Sequence, residues 1–293
     1  MVDAGTLAAF LVYGVLLGCV LAAIAHGLNL IWGVTKVVNI AHGEFVMLGA
    51  YGAYFLNLYW GLDPLVAAPI DALLGLAIGI GFYFGFLHRE LRGKEQVTLQ
   101  TELVTLVATF GLSLVLVNLG VAVLAHPVAV RYSTPTLVFG PIDLPLGGTY
   151  VAVASVAIIA ATHVFLTRTY LGRAIRAYSQ DIAAAKLMGV DPTKVAAVAT
   201  GLGFATTMAG GALLTVWLHV GIDPYLGQIY APISFVIVAL GGAGKMWGSL
   251  VGGLTLGILL DVLPAFIPSD FAYAIAFLVI IPVLVFTPEG ILR

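Results

Sequence analysis

The chain has 293 residues, 61% hydrophobic and 9% charged, with a formal net charge of −2 and a mean hydropathy of +1.10. Soluble domains carry about 45–50% apolar and about 25% charged residues, so this composition excludes an ordinary soluble fold and defines a polytopic membrane protein. The weak negative charge gives nucleic acid no electrostatic footing, and the single cysteine, Cys19 in an apolar run, excludes an intrachain disulfide and a thiolate-rich metal site.

A hydrocarbon core of about 30 Å takes about 20 apolar helical residues to cross. In chain order the spans are predicted at 7–32, 43–60, 65–87, 101–126, 147–167, 195–220, 229–241, 247–263 and 271–287. This is an all-α membrane helix bundle of eight to nine spans, one domain over 1–293. The start, Met1-Val2-Asp3-Ala4-Gly5, has no basic stretch, so Leu7 onward reads as a retained span rather than a cleaved signal.

The first spans carry the polar residues of most interest. His26 and Asn29 share one face of the first helix, and Asn39, His42 and Glu44 follow in an otherwise apolar stretch. Ionisable groups at bilayer depth are costly and mark pathways or sites. A straight helix through 36–44 would put Lys36, Asn39 and His42 on a stripe stepping about 60° each time, with Glu44 about 80° to the other side of Lys36. One pore face cannot hold all four, so either the helix breaks near Gly43 or Glu44 pairs with a neighbouring helix. Two readings stand for this cluster: a satisfied network that fixes a bend, or groups lining a substrate path. Asp71, within the third span, has a path or a partner; Asn118 is expected to bond across helices.

Glycines at i, i+4 (Gly75/Gly79, Gly81/Gly85, Gly248/Gly252, Gly253/Gly257) predict close helix packing. The spans 229–241 and 247–263 are short and flank Gly241-Gly242-Ala243-Gly244-Lys245, which reads as a broken or re-entrant pair. Segment 33–42 shares that character.

Arg89, Arg92 and Lys94 fall in one loop, and Arg168, Arg173, Arg176, Lys186 and Lys194 in another two spans later. Arg131 is alone in the loop between. The positive-inside rule makes the two basic loops cytoplasmic and the 127–146 loop external; nine spans then put Arg293 inside. The second basic loop, 168–194, holds a short helix, with Ser179 as its N-cap, Gly189 at C′ and Asp191-Pro192 stopping it. Ile182, Ala185 and Met188/Gly189 form a narrow apolar strip that fits the cleft of a soluble partner or rests on lipid head groups.

Gly244-Lys245 is not a phosphate loop, because residue 239 is Ala and Met246 stands where Ser or Thr belongs. The six histidines are scattered, and no serine sits in Gly-x-Ser-x-Gly. The chain is therefore read as neither a metal protein nor an enzyme.

The runs Gly27-Leu28-Asn29-Leu30-Ile31-Trp32-Gly33, Val38 to Glu44 and Met47-Leu48-Gly49-Ala50-Tyr51 resemble the LivH-type permeases of branched-chain amino acid ABC importers. So do Gly172-Arg173-Ala174-Ile175-Arg176-Ala177, the segment Gln180 to Gly189, Gly241 to Gly248, and Pro288-Glu289-Gly290. The resemblance implies a permease subunit in a bacterial or archaeal cytoplasmic (inner) membrane, paired with a LivM-like second permease. It also implies two cytoplasmic ATPase subunits, which alone bind ATP and magnesium, and an extracytoplasmic binding protein. Residues 179–189 would then be the coupling helix, with Gln180, Asp181, Ala184, Ala185, Met188 and Gly189 meeting the ATPase. Asn39, His42, Glu44, Asn29 and His26 would line the substrate path. The same family includes carriers of urea, short amides and aromatic acids, so branched-chain amino acids lead those cargoes. A self-sufficient secondary carrier with His42 and Glu44 as a proton relay, and a membrane scaffold, are the rival classes.

Overall fold

The computed structural model describes residues 4–92, 97–124, 126–139, 142–218, 221–287 and 290. Lys94, Pro288-Glu289, Arg293 and the first three residues, all used in the reading above, lie outside them. The chain is mostly helical, and among the described residues six helices are long and apolar enough to cross a membrane. They begin with α1 (Ala4–Thr35), α3 (Pro64–Phe82) and α5 (Leu99–Val123). The others are α6 (Leu146–Arg168), α9 (Pro192–Leu214) and α11 (Gly248–Val262). Between them lie α2 (His42–Trp60), α4 (His88–Leu91), α7 (Tyr170–Gln180), α8 (Ile182–Leu187) and α10 (Leu226–Gly241), with α12 (Ser269–Leu278) and α13 (Ile280–Phe286) at the end.

α9 is the central post. Its sequence is rich in Ala, Gly and Thr, so the backbones of α1, α2 and α3 approach it closely. Gly75 and Gly79 of α3 abut the Phe204 and Gly201 backbone, where an added methyl would collide. The hydroxyls of Thr200, Thr206 and Thr207 donate to carbonyls three or four residues back, which satisfies them inside an apolar core. α11 offers small residues in two directions: Gly252 faces Ile237 of α10 and Gly253 faces Ala22 of α1. Gly81 and Gly85 differ from expectation. They meet nothing within 4 Å among the described residues, so this pair packs against none of the described helices.

α5 stands at the periphery. Only Thr101, Thr105, Thr109, Ser113 and Val117, one residue per turn, are buried, while Leu103, Val107, Phe110, Leu114 and Val121 lie exposed on its other faces. Asn118 is among the exposed residues and donates to Leu114 O of its own helix at 2.7 Å, so the expected bond across helices is not made. An amide on an outward face has no neighbouring helix to reach, and the turn below it is the nearest acceptor.

Two features escaped the sequence reading. The 127–146 loop contains an antiparallel hairpin of β1 (Thr136–Phe139) and β2 (Ile142–Pro145). Asn57 ties this region to α2 by accepting from Arg131 N at 3.0 Å. A π-helical turn at Tyr83–Leu87 joins α3 to α4. The chain ends that carry Arg89, Arg92 and Arg168 share one end of the bundle with the Thr35 end of α1 and the start of α9, as the shared apolar cluster of Val34, Leu166, Tyr178 and Val195 requires.

Candidate functional site

The site begins where α1 stops. Lys36 has φ 56°, the only non-glycine residue with positive φ among those described, and residues 36–41 leave the helix. β-Branched Val37 and Val38 and the turn-favouring Asn39 do not sustain a helix. The straight helix through 36–44 therefore does not form. The break falls before His42, and Gly43 lies inside α2.

This return path buries the N-terminus of α2. The main chain at Ile24 faces the His42 ring, eleven residues before the end of α1 and so about 16 Å back along its axis. His42, Gly43, Glu44, Phe45, Val46 and Met47 are all buried. Helix N-termini leave several N–H groups without helical partners. No side chain caps α2; in the connection just before it, Asn39 Oδ1 accepts from Ala41 N at 3.0 Å and Thr109 Oγ1 of α5 accepts from Ile40 N at 3.2 Å. Gly43 also abuts Gly227 in the first turn of α10, so two helix N-termini converge.

Glu44 accepts from Ser113 Oγ of α5 at 2.8 Å through one carboxylate oxygen; the other has no partner among the described residues. The amide nitrogen of Asn39 has none either, and the His42 ring meets the Ile24 main chain. Leaving a buried polar group unpaired costs about 1–3 kcal/mol. The cluster is a partly paired polar core inside the bundle. Thr109 and Ser113 were missed at the sequence level. Their signal was the four-residue spacing of hydroxyls at 101, 105, 109 and 113 on an otherwise apolar helix.

His26 and Asn29 belong elsewhere. Asn29 Oδ1 accepts from Gly244 N and its Nδ2 donates to Lys245 O, both at 2.6 Å. His26 Nδ1 lies 2.9 Å from Ser249 Oγ. Together they pin α1 to the turn between α10 and α11, whose positive φ at Gly242 (92°) and Gly244 (80°) only glycine adopts freely. Both polar ends of Asn29 are used in holding that turn. Asp71 is fully buried against Gly52 of α2, with neither carboxylate oxygen partnered among the described residues.

The segment 169–191 is two helices, not one. Thr169 caps α7, accepting from Gly172 N at 3.0 Å, and the good helix formers of 170–180 carry that helix through Ser179. Ser179 is therefore not the N-cap; its hydroxyl donates back to Arg176 O. The cap is Asp181, with φ −150°, whose Oδ1 accepts from Ala184 N at 2.9 Å. α8 spans only Ile182–Leu187, and Gly189, with φ 80°, follows its end as expected for C′. Ala185 is buried against the bundle with Ile182 packed beside it, while Met188 and Gly189, the rest of the expected strip, are exposed, so these residues do not share one face. The exposed large apolar residues at the end of α8 are Leu187 at 88% and Met188 at 83%. Gln180, Asp181, Ala184 and Gly189 are also exposed.

Apolar helices long enough to cross a membrane, packed around a buried polar cluster at a broken helix, define a multi-pass membrane protein. The family model of the branched-chain amino acid transport system permease component matches residues 10–284, and the chain belongs to that family. It is similar to the high-affinity branched-chain amino acid permease protein BraD of Pseudomonas aeruginosa, 29% identical over 96% of this chain and 94% of the relative. LivH of Escherichia coli is 29% identical over 95% of this chain and 93% of its own length. LivM of Salmonella typhimurium is 24% identical over 91% of this chain and 66% of LivM.

Proposed function

We propose that the chain is one of two permease subunits of an ABC importer for branched-chain amino acids, moved by partner ATPases and supplied by an external binding protein. In this reading nine helical segments cross the membrane, α2, α10 and the α12–α13 pair completing the six long ones, and the basic loops lie in the cytoplasm. The relatives are named as permeases of branched-chain amino acid transport systems, and similarity to both LivH and LivM fits a pair of related membrane subunits.

The observation that carries the reading is the tip of α8. A capped two-helix element on the basic end of the bundle presents Leu187 and Met188 almost wholly to solvent, flanked by exposed Gln180, Asp181, Ala184 and Gly189. Two adjacent, protruding apolar side chains rimmed by polar residues fit a surface that a partner covers. An ATPase cleft is the occupant we assign, and Ala185 supports the element from within. Closure of the ATPases then pushes α8, and through the buried contacts of Tyr178 and Ile175 the start of α9, the post around which the other helices pack. Asn39, His42 and Glu44 supply polar groups in the core of the path, and the chain itself hydrolyses nothing.

The test is leucine uptake into proteoliposomes holding this chain, its second permease, the two ATPases and the binding protein. Uptake is expected to require ATP and every component. Ion-driven uptake by this chain alone would replace the importer with a self-sufficient carrier.

A further inference from the structure

At the end of the bundle opposite the basic loops lies a cavity of about 580 Å³, within the usual 300–1,000 Å³ range of small-molecule sites. Aromatic side chains dominate its wall: Tyr13 of α1, Tyr132 of the hairpin loop, Trp217 after α9, Tyr230 of α10 and Tyr273 of α12. One ionisable acid joins them, Asp261 near the end of α11. Asp261 Oδ2 and Trp217 Nε1 are both buried without a hydrogen-bond partner among the described residues. The wall draws on α1, α6, α10, α11, α12 and the connection after α9, so a molecule seated here touches several helices at once.

A carboxylate oxygen with spare acceptor capacity among five aromatic lining residues suits a primary ammonium carried on an apolar body. The ammonium pairs with the carboxylate and is attracted to the ring faces, the apolar body covers the remaining aromatic surface, and the indole N–H is free for an acceptor such as a carboxylate. We infer that this cavity is a receiving site for the ammonium end of an aliphatic amino acid, with Asp261 as the anchor and the Tyr and Trp rings as the cage. That the ammonium belongs to cargo rests on the importer reading; the amine of a phosphatidylethanolamine head group has the same chemistry.

The experiment uses the full-length chain in phosphatidylglycerol nanodiscs, with Trp32, Trp60 and Trp247 replaced by Phe so that Trp217 is the only reporter. Leucine, isoamylamine (no carboxylate) and 4-methylvalerate (no amine) are titrated against its fluorescence. Leucine and isoamylamine are expected to shift the emission saturably and 4-methylvalerate at least tenfold more weakly, with Asp261→Asn losing the first two responses. Tyr273→Leu, which keeps the acid, is expected to weaken both amines, and it replaces D261N should that variant misfold. Equal responses to amine and acid, or amine responses unchanged in both variants, overturn the site. A shift that appears only on adding phosphatidylethanolamine to the discs gives the cage to lipid and overturns it too. Binding as expected alongside absent ATP-driven uptake by the complete importer would sink the importer reading and leave the ammonium site standing.

Discussion

At the scale of single residues the interior is defined by unequal pairing. Glu44 has one donor, Ser113; removing it as Ser113→Ala leaves a buried carboxylate with no side-chain donor from another helix. The expected loss is about 1–3 kcal/mol of stability, read from thermal unfolding in detergent, and in the Glu44→Gln background the same change is expected to cost less because the uncompensated charge is gone. Equal losses in both backgrounds would mean that the 2.8 Å bond carries no weight. Asp71 makes the opposite case. With both oxygens unpartnered and the whole residue buried, Asp71→Leu removes a desolvated polar group at nearly constant shape and is expected to stabilise by about 1–3 kcal/mol. A lower melting temperature would show that the carboxylate has a partner after all. Most of these residues were legible in the sequence, because a charge in an apolar run stands out. Their partners were not: Glu44 and Ser113 are 69 positions apart, and only the packing of α5 on the start of α2 brings them together.

At the scale of elements, two short segments decide the behaviour of long ones. The 36–41 stretch sends α2 back into the bundle, and the turn after α10, held by Asn29, fixes α11 against α1. The α7–α8 unit depends on its caps. Asp181→Ala removes the acceptor for Ala184 N and is expected to cost about 1 kcal/mol locally, while Gly189→Leu forces a side chain into φ 80° and costs about 1–2 kcal/mol. Both changes touch an exposed tip with nothing within 4 Å of Gly189, so membrane insertion, followed by yield and monodispersity, is expected to stay near normal while ATP-driven uptake falls at least fivefold. Normal uptake would remove α8 from the drive train. The sequence announced a capped helix here but put its start two residues early. Ser179 and Asp181 are both good N-caps, and only the capping of α7 by Thr169, which runs that helix through Ser179, selects the aspartate. The β-hairpin and the π-turn had no comparable signature: four-residue strands in a polar loop lack the length for a period to declare itself.

At the scale of the molecule, length and apolar content foretold a helical bundle, and small-residue spacing foretold which helices approach closely. The outward glycines Gly81 and Gly85 show where that reasoning ends, since spacing cannot say whether a face meets a helix, lipid or another subunit. The sidedness of the bundle is directly testable. With Cys19 replaced by Ser, single cysteines at Arg131 and Arg176 are expected to react from opposite sides of sealed vesicles with a membrane-impermeant thiol reagent, Arg131 from outside. Reaction of both from one side would break the assignment of the basic loops.

The central claim is that Leu187 and Met188 at the α8 tip transmit ATPase closure to the bundle. The most direct measurement is leucine uptake and binding-protein-stimulated ATP hydrolysis by the reconstituted importer carrying Leu187→Asp together with Met188→Asp. Both side chains are exposed, so the bundle itself is expected to assemble normally. The account predicts loss of at least nine-tenths of uptake and of the stimulation by the binding protein; uptake and stimulation equal to those of the unmodified importer would contradict it.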